Sequence, residues 1–172
     1  FGATFMVLAP EHDLVKTITT EEYRSQVDDY VKKAGNKSER ERMTEVKTVS
    51  GQFTGAYARH PFSGENLPVY IADYVLAGYG TGAIMAVPAH DSRDYAFAKH
   101  FDLTITQVVS GGDLSQGSYD AKEGTMINSG FLDGLEVPAA VRAAIQKLEG
   151  KNMGSGRVNF RLRDAIFSRQ RY

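Results

Sequence analysis

The 172-residue sequence contains no cysteine and no tryptophan. Without cysteine, disulfide bonds, zinc-thiolate sites and a cysteine nucleophile are all excluded. No apolar run approaches ~18 residues, so the sequence predicts neither a transmembrane helix nor a membrane partner. The first residues also lack the charged and long apolar segments of a signal peptide. Because an absence of cysteine fits a reducing compartment, we expect a cytoplasmic location.

An excess of charge of either sign is also missing. The chain carries 20 Lys and Arg residues against 21 Asp and Glu residues, for a formal net charge of −1. This balance argues against broad, nonspecific nucleic-acid binding, which needs a basic field. It leaves room for a local contact with one RNA end. The length and a hydrophobic content of 42% predict a single globular domain over residues 1–172.

Short apolar runs separated by turn residues indicate a fold rich in strands. We predict strands at 5–9, 46–49, 52–54, 56–59, 67–72, 74–76, 83–87, 104–109, 124–128 and 157–162. Apolar residues at helical spacing predict helices over 21–33, 95–101 and 138–148. We therefore expect a β-rich α+β fold with a distorted β-barrel-like core and peripheral helices.

The strongest functional signal lies between residues 79 and 97. A glycine-laced turn leads into an apolar strand, and Pro88 stops that strand. A charged and polar cluster follows directly: His90, Asp91, Arg93 and Asp94. Carboxylates held at the start of a helix form a polar site on a rigid frame. A purely structural interpretation stays open, because Asp91 is a good N-cap and Asp94 completes a variant capping box.

The chain also contains several short motifs: Thr54-Gly55, His60-Pro61, Pro68-Val69, Ala72-Asp73-Tyr74-Val75-Leu76, Tyr79-Gly80-Thr81-Gly82-Ala83 and His90-Asp91-Ser92-Arg93-Asp94. Together these motifs resemble the editing domain of class I aminoacyl-tRNA synthetases, specifically that of the bacterial leucyl family. Leu8-Ala9-Pro10-Glu11-His12 and Ser168-Arg169-Gln170-Arg171-Tyr172 extend the resemblance over nearly the whole chain. The resemblance implies a barrel-like editing domain excised from a larger synthetase. Residues 157–172 would be the connector back to the synthetic domain.

The resemblance also implies a reaction, post-transfer editing. The aminoacyl ester of tRNA(Leu) mischarged with norvaline, isoleucine or a similar amino acid would be hydrolysed by a bound water. Asp94 would anchor the α-ammonium of the substrate through a charge-assisted hydrogen bond. Editing would need no cofactor, since ATP and Mg²⁺ serve the separate site of the parent synthetase. The partners would be the 3′ CCA end of tRNA(Leu) and the rest of the parent enzyme, with the isolated domain a monomer.

Further residues would bind the substrate by the same resemblance. They are Leu76, Tyr79, Gly80, Thr81, Met85, Val87 and Arg93. Tyr79 would stack on the terminal adenine with Leu76 against the same base, although both could be core residues. Met85 and Val87 lie two apart on a strand, so they line either the amino-acid pocket or the protein interior. Arg93 would contact the RNA end or pair with Asp91.

The roles of His90 and Asp91 are open from sequence. His90 is either a general base, since imidazole titrates near neutral pH, or a structural hydrogen-bonding residue. Asp91 would hold the loop and orient either a water molecule or Arg93. We predict no metal site, because the four histidines lack a metal-binding spacing.

Two other functions compete with editing. His90, Asp91 and Asp94 could together hold a divalent ion in an independent metal hydrolase. The chain could also be a truncated, catalytically weak binding scaffold, because the family's threonine-rich stretch would lie upstream of Phe1.

Overall fold

Four strands form one open, mixed sheet. They are β1 (Phe5–Leu8), β2 (Gln52–Arg59), β3 (Asn66–Ile71) and β4 (Ala83–Ala86). The spatial order is β2-β3-β1-β4, in which β1 runs parallel to β3 and antiparallel to β4, and β2 runs antiparallel to β3. The sheet belongs to a computed structural model that describes residues 1–37, 41–42, 49–78, 80–120 and 123–158.

Strand β1 is the centre of the core, because its alternating side chains are buried on both faces of the sheet. Phe5 and Val7 are fully buried in a cluster that includes Phe97. Leu8 is buried in a second cluster, with Val15 and other apolar residues. A strand buried on both faces reads as a continuous apolar run, which is what the sequence shows. The predicted N-terminal strand is confirmed.

Beside the sheet, the described parts of the chain contain four α-helices with defined bounds and two short 3₁₀ turns. The helices are α1 (Leu14–Ile18), α2 (Arg24–Gly35), α3 (Ser92–His100) and α4 (Val137–Gly150), and the 3₁₀ turns are Glu21–Tyr23 and Gly130–Leu132. Helices α1 and α2 contribute to the cluster around Leu8, whereas α3 contributes to the cluster around Phe5. The helices predicted at 21–33, 95–101 and 138–148 are confirmed with shifted ends, and α1 was not predicted.

Some predicted strands are wrong. Residues 74–76 form a turn after β3, although their sequence is apolar. Residues 104–109 and 124–128 contribute only isolated bridges, Val109 to Met126 and Thr125 to Glu136. No regular strand forms at Val108 and Val109 because both backbone N–H groups donate to the ring of His90 and not to a neighbouring strand. The described strands form an open sheet, so the predicted barrel-like closure is not confirmed.

Parts of the sequence predictions fall outside the described residues. Most of the predicted strand at 46–49 does so, as do residues 159–172, which make up most of the predicted connector. The single-domain boundary and the connector therefore stay predictions. In the part of the chain that the structure describes, no helix has the length and apolar character needed to span a bilayer.

A glycine in β2 fixes how this strand packs against the helical layer. The β2–β3 register shifts between Phe53 and Tyr57, and Gly55 lies within this irregularity with a φ of +80°. A Cβ added at Gly55 would collide with Thr20 Oγ1 and lie 2.8 Å from Tyr23 Cδ2. Only glycine fits both the left-handed backbone and the close contact with this helical segment.

The Gly55→Ala substitution should therefore lower the free energy of unfolding by about 2 kcal/mol or more, through backbone strain and overpacking. Gly35→Ala is the matched control, because a Cβ there meets no atom within 4 Å. It lies at the end of α2 and should leave stability unchanged or raise it by up to ~1 kcal/mol. Urea unfolding measures both effects, and equal stability of the two variants would contradict the packing described.

Candidate functional site

A cleft with a volume of about 510 Å³ lies where three segments meet: the turn after β3, strand β4 and the start of α3. The residues that line it are Tyr74, Val75, Leu76, Ile84, Met85, Asp91, Arg93 and Asp94. The structure thus brings together five residues that the sequence predicted for the site: Leu76, Met85, Asp91, Arg93 and Asp94.

Asp91 is the N-cap of α3 and sets the orientation of its first turn. Its Oδ1 accepts hydrogen bonds from the backbone N–H groups of Arg93, at 2.9 Å, and Asp94, at 3.1 Å. These donors belong to the first turn, where the helix itself supplies no acceptor. The capping interpretation of Asp91 is confirmed, and through it Asp91 holds the backbone that carries Asp94.

Asp94 is the most buried charged residue of the cleft, with only 5% of its surface exposed. The Tyr74 hydroxyl donates to Asp94 Oδ1 at 2.9 Å, and the Val87 backbone N–H donates to Oδ2 at 2.9 Å. A carboxylate oxygen can accept two hydrogen bonds. Each oxygen of Asp94 therefore keeps accepting capacity for a cationic group in the cleft.

Burial has the largest effect on the pKa values of Asp94 and Tyr74. It raises the pKa of Asp94 above the ordinary carboxyl value, outweighing the hydrogen bonds from Val87 and Tyr74 that act in the opposite direction. Burial and the nearby carboxylate raise the pKa of the Tyr74 hydroxyl strongly, so this group stays a protonated donor. A cation bound in the cleft would lower the pKa of Asp94 again.

His90 has both ring nitrogens engaged by the backbone. Its Nδ1 lies 2.7 Å from the Tyr119 carbonyl oxygen, which can only accept, so Nδ1 carries the proton. Its Nε2 accepts from the N–H groups of Val108 and Val109, each at 3.1 Å. His90 does not line the cleft. These contacts favour the structural interpretation of His90 over a general base.

The other predicted substrate-binding residues have different surroundings. Met85 lies on the edge strand β4 and is 60% exposed beside the cleft. Val87 does not line the cleft and contributes its backbone N–H, which holds Asp94. Gly80 and Thr81 are exposed and also lie outside the cleft lining. Tyr79 lies outside the described residues.

Arg93 is an exposed residue at the cleft. Within the described parts of the chain, its guanidinium forms no ion pair with Asp91 at 4.0 Å or less. Of the two roles predicted for Arg93, the geometry gives the pairing with Asp91 no support. A contact between Arg93 and the RNA end stays a prediction.

Sequence reasoning missed Tyr74 as a site residue. Its hydroxyl is the side-chain donor to Asp94, which follows it by 20 positions. The signal was the motif Ala72-Asp73-Tyr74-Val75-Leu76, which supported the family resemblance but suggested a strand and gave Tyr74 no role.

The geometry argues against metal binding by His90, Asp91 and Asp94, the alternative that the sequence left open. Across the described residues, no three His, Asp or Glu side chains are grouped so that they could hold an ion. The His90 nitrogens are already paired with backbone groups, which leaves Asp91 and Asp94 without a third ligand. The cleft combines the buried carboxylate of Asp94 with apolar side chains and with the exposed residues Asp91 and Arg93.

Comparisons with known proteins agree on one family. A family model described as "Leucyl-tRNA synthetase, editing domain" matches residues 1–149. The sequence is 58% identical over 172 residues to the leucine–tRNA ligase of Amoebophilus asiaticus, covering all of this chain and 19% of that protein. It is 57% identical over 173 residues to the leucine–tRNA ligase of Christiangramia forsetii, covering 18% of that protein.

A solved structure shows a similar fold. It is the crystal structure of the ternary complex of Agrobacterium radiobacter K84 agnB2 LeuRS with tRNA and LeuAMS. The TM-score is 0.66 and the sequence identity 33%, over 90% of this chain and 16% of that chain. The chain thus spans about a fifth of the length of the curated relatives it matches.

The His90→Ala substitution should lower the free energy of unfolding by about 2–4 kcal/mol, because it leaves two buried N–H groups and a carbonyl without partners. His100→Ala is the matched control, since His100 is exposed at the end of α3. It should cost less than ~1 kcal/mol. Urea unfolding gives both values, and a His90→Ala protein as stable as the control would contradict the structural role.

Proposed function

The chain belongs to the family of leucyl-tRNA synthetase editing domains, and we propose that it hydrolyses the ester of tRNA(Leu) carrying a wrong amino acid. Norvaline and isoleucine are the proposed targets. The observation that carries the proposal is the buried carboxylate of Asp94, held by two hydrogen bonds at a cleft with apolar walls.

The α-ammonium is the one charged group that every mischarged amino acid shares. A carboxylate is its fitting partner, because charge-assisted hydrogen bonds are short and strong. Asp94 keeps accepting capacity on both oxygens and lines the cleft. Leaving the ammonium unpaired in this partly desolvated site would cost roughly 2–5 kcal/mol. Asp94 therefore binds and orients the substrate, and Asp91 holds the helix turn that presents it.

The apolar residues Leu76, Ile84 and Met85 also line the cleft. They suit the aliphatic side chain of a wrong amino acid. A synthetic site distinguishes two aliphatic chains that differ by one methyl group by only ~1–3 kcal/mol, so a second site is needed for accuracy. We propose that Met85 contributes to this amino-acid pocket, whereas Val87 acts through its backbone.

In the proposed reaction a bound water attacks the ester carbonyl carbon. The bond between this carbon and the ribose oxygen then breaks, and the ribose oxygen takes the proton that the water gives up, with the neighbouring ribose hydroxyl as relay. The products are the free amino acid and uncharged tRNA. His90 has no free ring nitrogen for this step, so its part is to hold the loops that flank α3.

The proposed partner is the 3′ CCA end of tRNA(Leu), presented by the rest of the parent synthetase in the cytoplasm. Arg93, exposed at the cleft, would meet a phosphate, and Tyr79 would stack on the terminal adenine beside Leu76. Gly80 and Thr81 would shape the backbone next to this base. We propose that the hydrolysis itself uses no cofactor.

The Asp94→Asn substitution should lower kcat/KM for deacylation of isoleucyl- and norvalyl-tRNA(Leu) by roughly the same factor, at least about thirtyfold. The amide preserves both hydrogen bonds, accepting from Val87 and donating to the Tyr74 oxygen, but carries no charge. The measurement is single-turnover deacylation by a full-length leucyl-tRNA synthetase that contains this chain.

Asp102→Asn is the control for this experiment, because it removes the same charge from an exposed position just after α3. It should deacylate like the unsubstituted enzyme. A defect limited to one of the two amino acids would contradict the ammonium role, since both carry that group.

A further inference from the structure

The geometry points to Tyr74 as a positioning residue for the proposed hydrolysis, one whose hydroxyl holds the Asp94 carboxylate in the orientation that receives the substrate ammonium. The inference rests on the proposed function and adds a residue to it. Tyr74 lies in the turn after β3, and its hydroxyl donates to Asp94 Oδ1 at 2.9 Å. Among the described residues, the other hydrogen bond to this carboxylate comes from the Val87 backbone N–H, so a substitution of Tyr74 can change how the carboxylate is held.

Packing holds the Tyr74 hydroxyl at a defined place. The Tyr74 ring packs against the core cluster, with its centroid 5.7 Å from that of the fully buried Phe97 ring. A residue so packed keeps few rotamers, and its hydroxyl is delivered to one position.

The backbone that carries Tyr74 is also anchored. The Asp73 N–H donates to the Tyr30 hydroxyl at 3.0 Å, and the Asp73 carboxylate accepts from Ser50 Oγ at 3.1 Å. Tyr74 is therefore fixed by its ring on one side and by its neighbour Asp73 on the other. This is the arrangement that a positioning residue needs, because a mobile donor would not hold the carboxylate plane.

Two hydrogen bonds, one to each oxygen, fix the plane of the Asp94 carboxylate. The remaining accepting positions on both oxygens then have defined directions. An ammonium that binds there is placed with its ester carbon at a constant distance and angle, which is what the attack of a bound water requires. Without the Tyr74 hydroxyl, the carboxylate is free to rotate about the Val87 contact.

The same contact affects the ionisation of Asp94. The groups that act on its pKa are burial, Asp91, which raises it, and Arg93, Val87 and Tyr74, which lower it. Removing the Tyr74 hydroxyl therefore raises the pKa of Asp94 further. Because the ionised form pairs with the ammonium, deacylation should rise with pH through the pKa of Asp94. The Tyr74→Phe variant should show this rise at higher pH, by about one to two pH units.

Tyr95→Phe is the matched control. Tyr95 lies next to Asp94 in α3, and its hydroxyl donates to the Leu114 carbonyl oxygen at 2.8 Å. Each variant thus loses one tyrosine hydroxyl and one hydrogen bond while keeping the ring. The pH profile of single-turnover deacylation is measured on the full-length synthetase. The titration of the Asp94 carboxyl carbon is measured by NMR on this chain.

We expect Tyr74→Phe to move both the pH profile and the Asp94 titration upward, and to lower kcat/KM near pH 7 by about tenfold. Tyr95→Phe should leave both readouts where the unsubstituted protein has them. A Tyr74→Phe protein with an unchanged titration and an unchanged profile would overturn the inference. If the unsubstituted synthetase deacylates no mischarged tRNA, the proposed function fails, and the NMR titration still reports whether Tyr74 controls Asp94.

Discussion

Asp94 joins three elements: it lies in the first turn of α3, accepts from the backbone just after β4 and accepts from Tyr74 in the turn after β3. An ionised group this far from water is tolerated only when hydrogen bonds compensate for its lost hydration. The contacts that hold the fold together at this point also shape the cleft, so stability and ligand binding share one residue.

The neighbouring residues support Asp94 from different sides. Asp91 caps α3, and His90 ties the strand end to the segments around Val108 and Tyr119. The aromatic packing of Phe97 fixes α3 on the sheet, next to the fully buried Phe5. Asp94 thus lies on a helix, and Tyr74 lies in a turn that ring packing and hydrogen bonds anchor, an arrangement suited to holding a ligand in one geometry.

Sequence reasoning succeeded where the signal is local. The buried strand β1 follows from a continuous apolar run, helix α4 from apolar spacing before Gly150, and the Asp91 cap from the residue type at a helix start. It failed where contacts between residues far apart in the sequence determine the local structure. Residues 74–76 look like a strand but form a turn, and the N–H groups of Val108 and Val109 donate to a histidine. Periodicity carries no information about such partners, nor about the pairing of Tyr74 with Asp94.

If Asp94 recognises the ammonium of the substrate, deleting the amine from a ligand and deleting the charge of Asp94 should have linked effects on binding. Two non-hydrolysable adenosine amides would be compared, one carrying a norvalyl group and one carrying the pentanoyl group that lacks only the amine. Their affinities would be measured by calorimetry on the full-length synthetase with and without Asp94→Asn. We expect removal of the amine to weaken binding by roughly thirtyfold or more when Asp94 is present, and to have little effect when residue 94 is Asn. An equal loss in both proteins would contradict it, because the amine would then be recognised elsewhere.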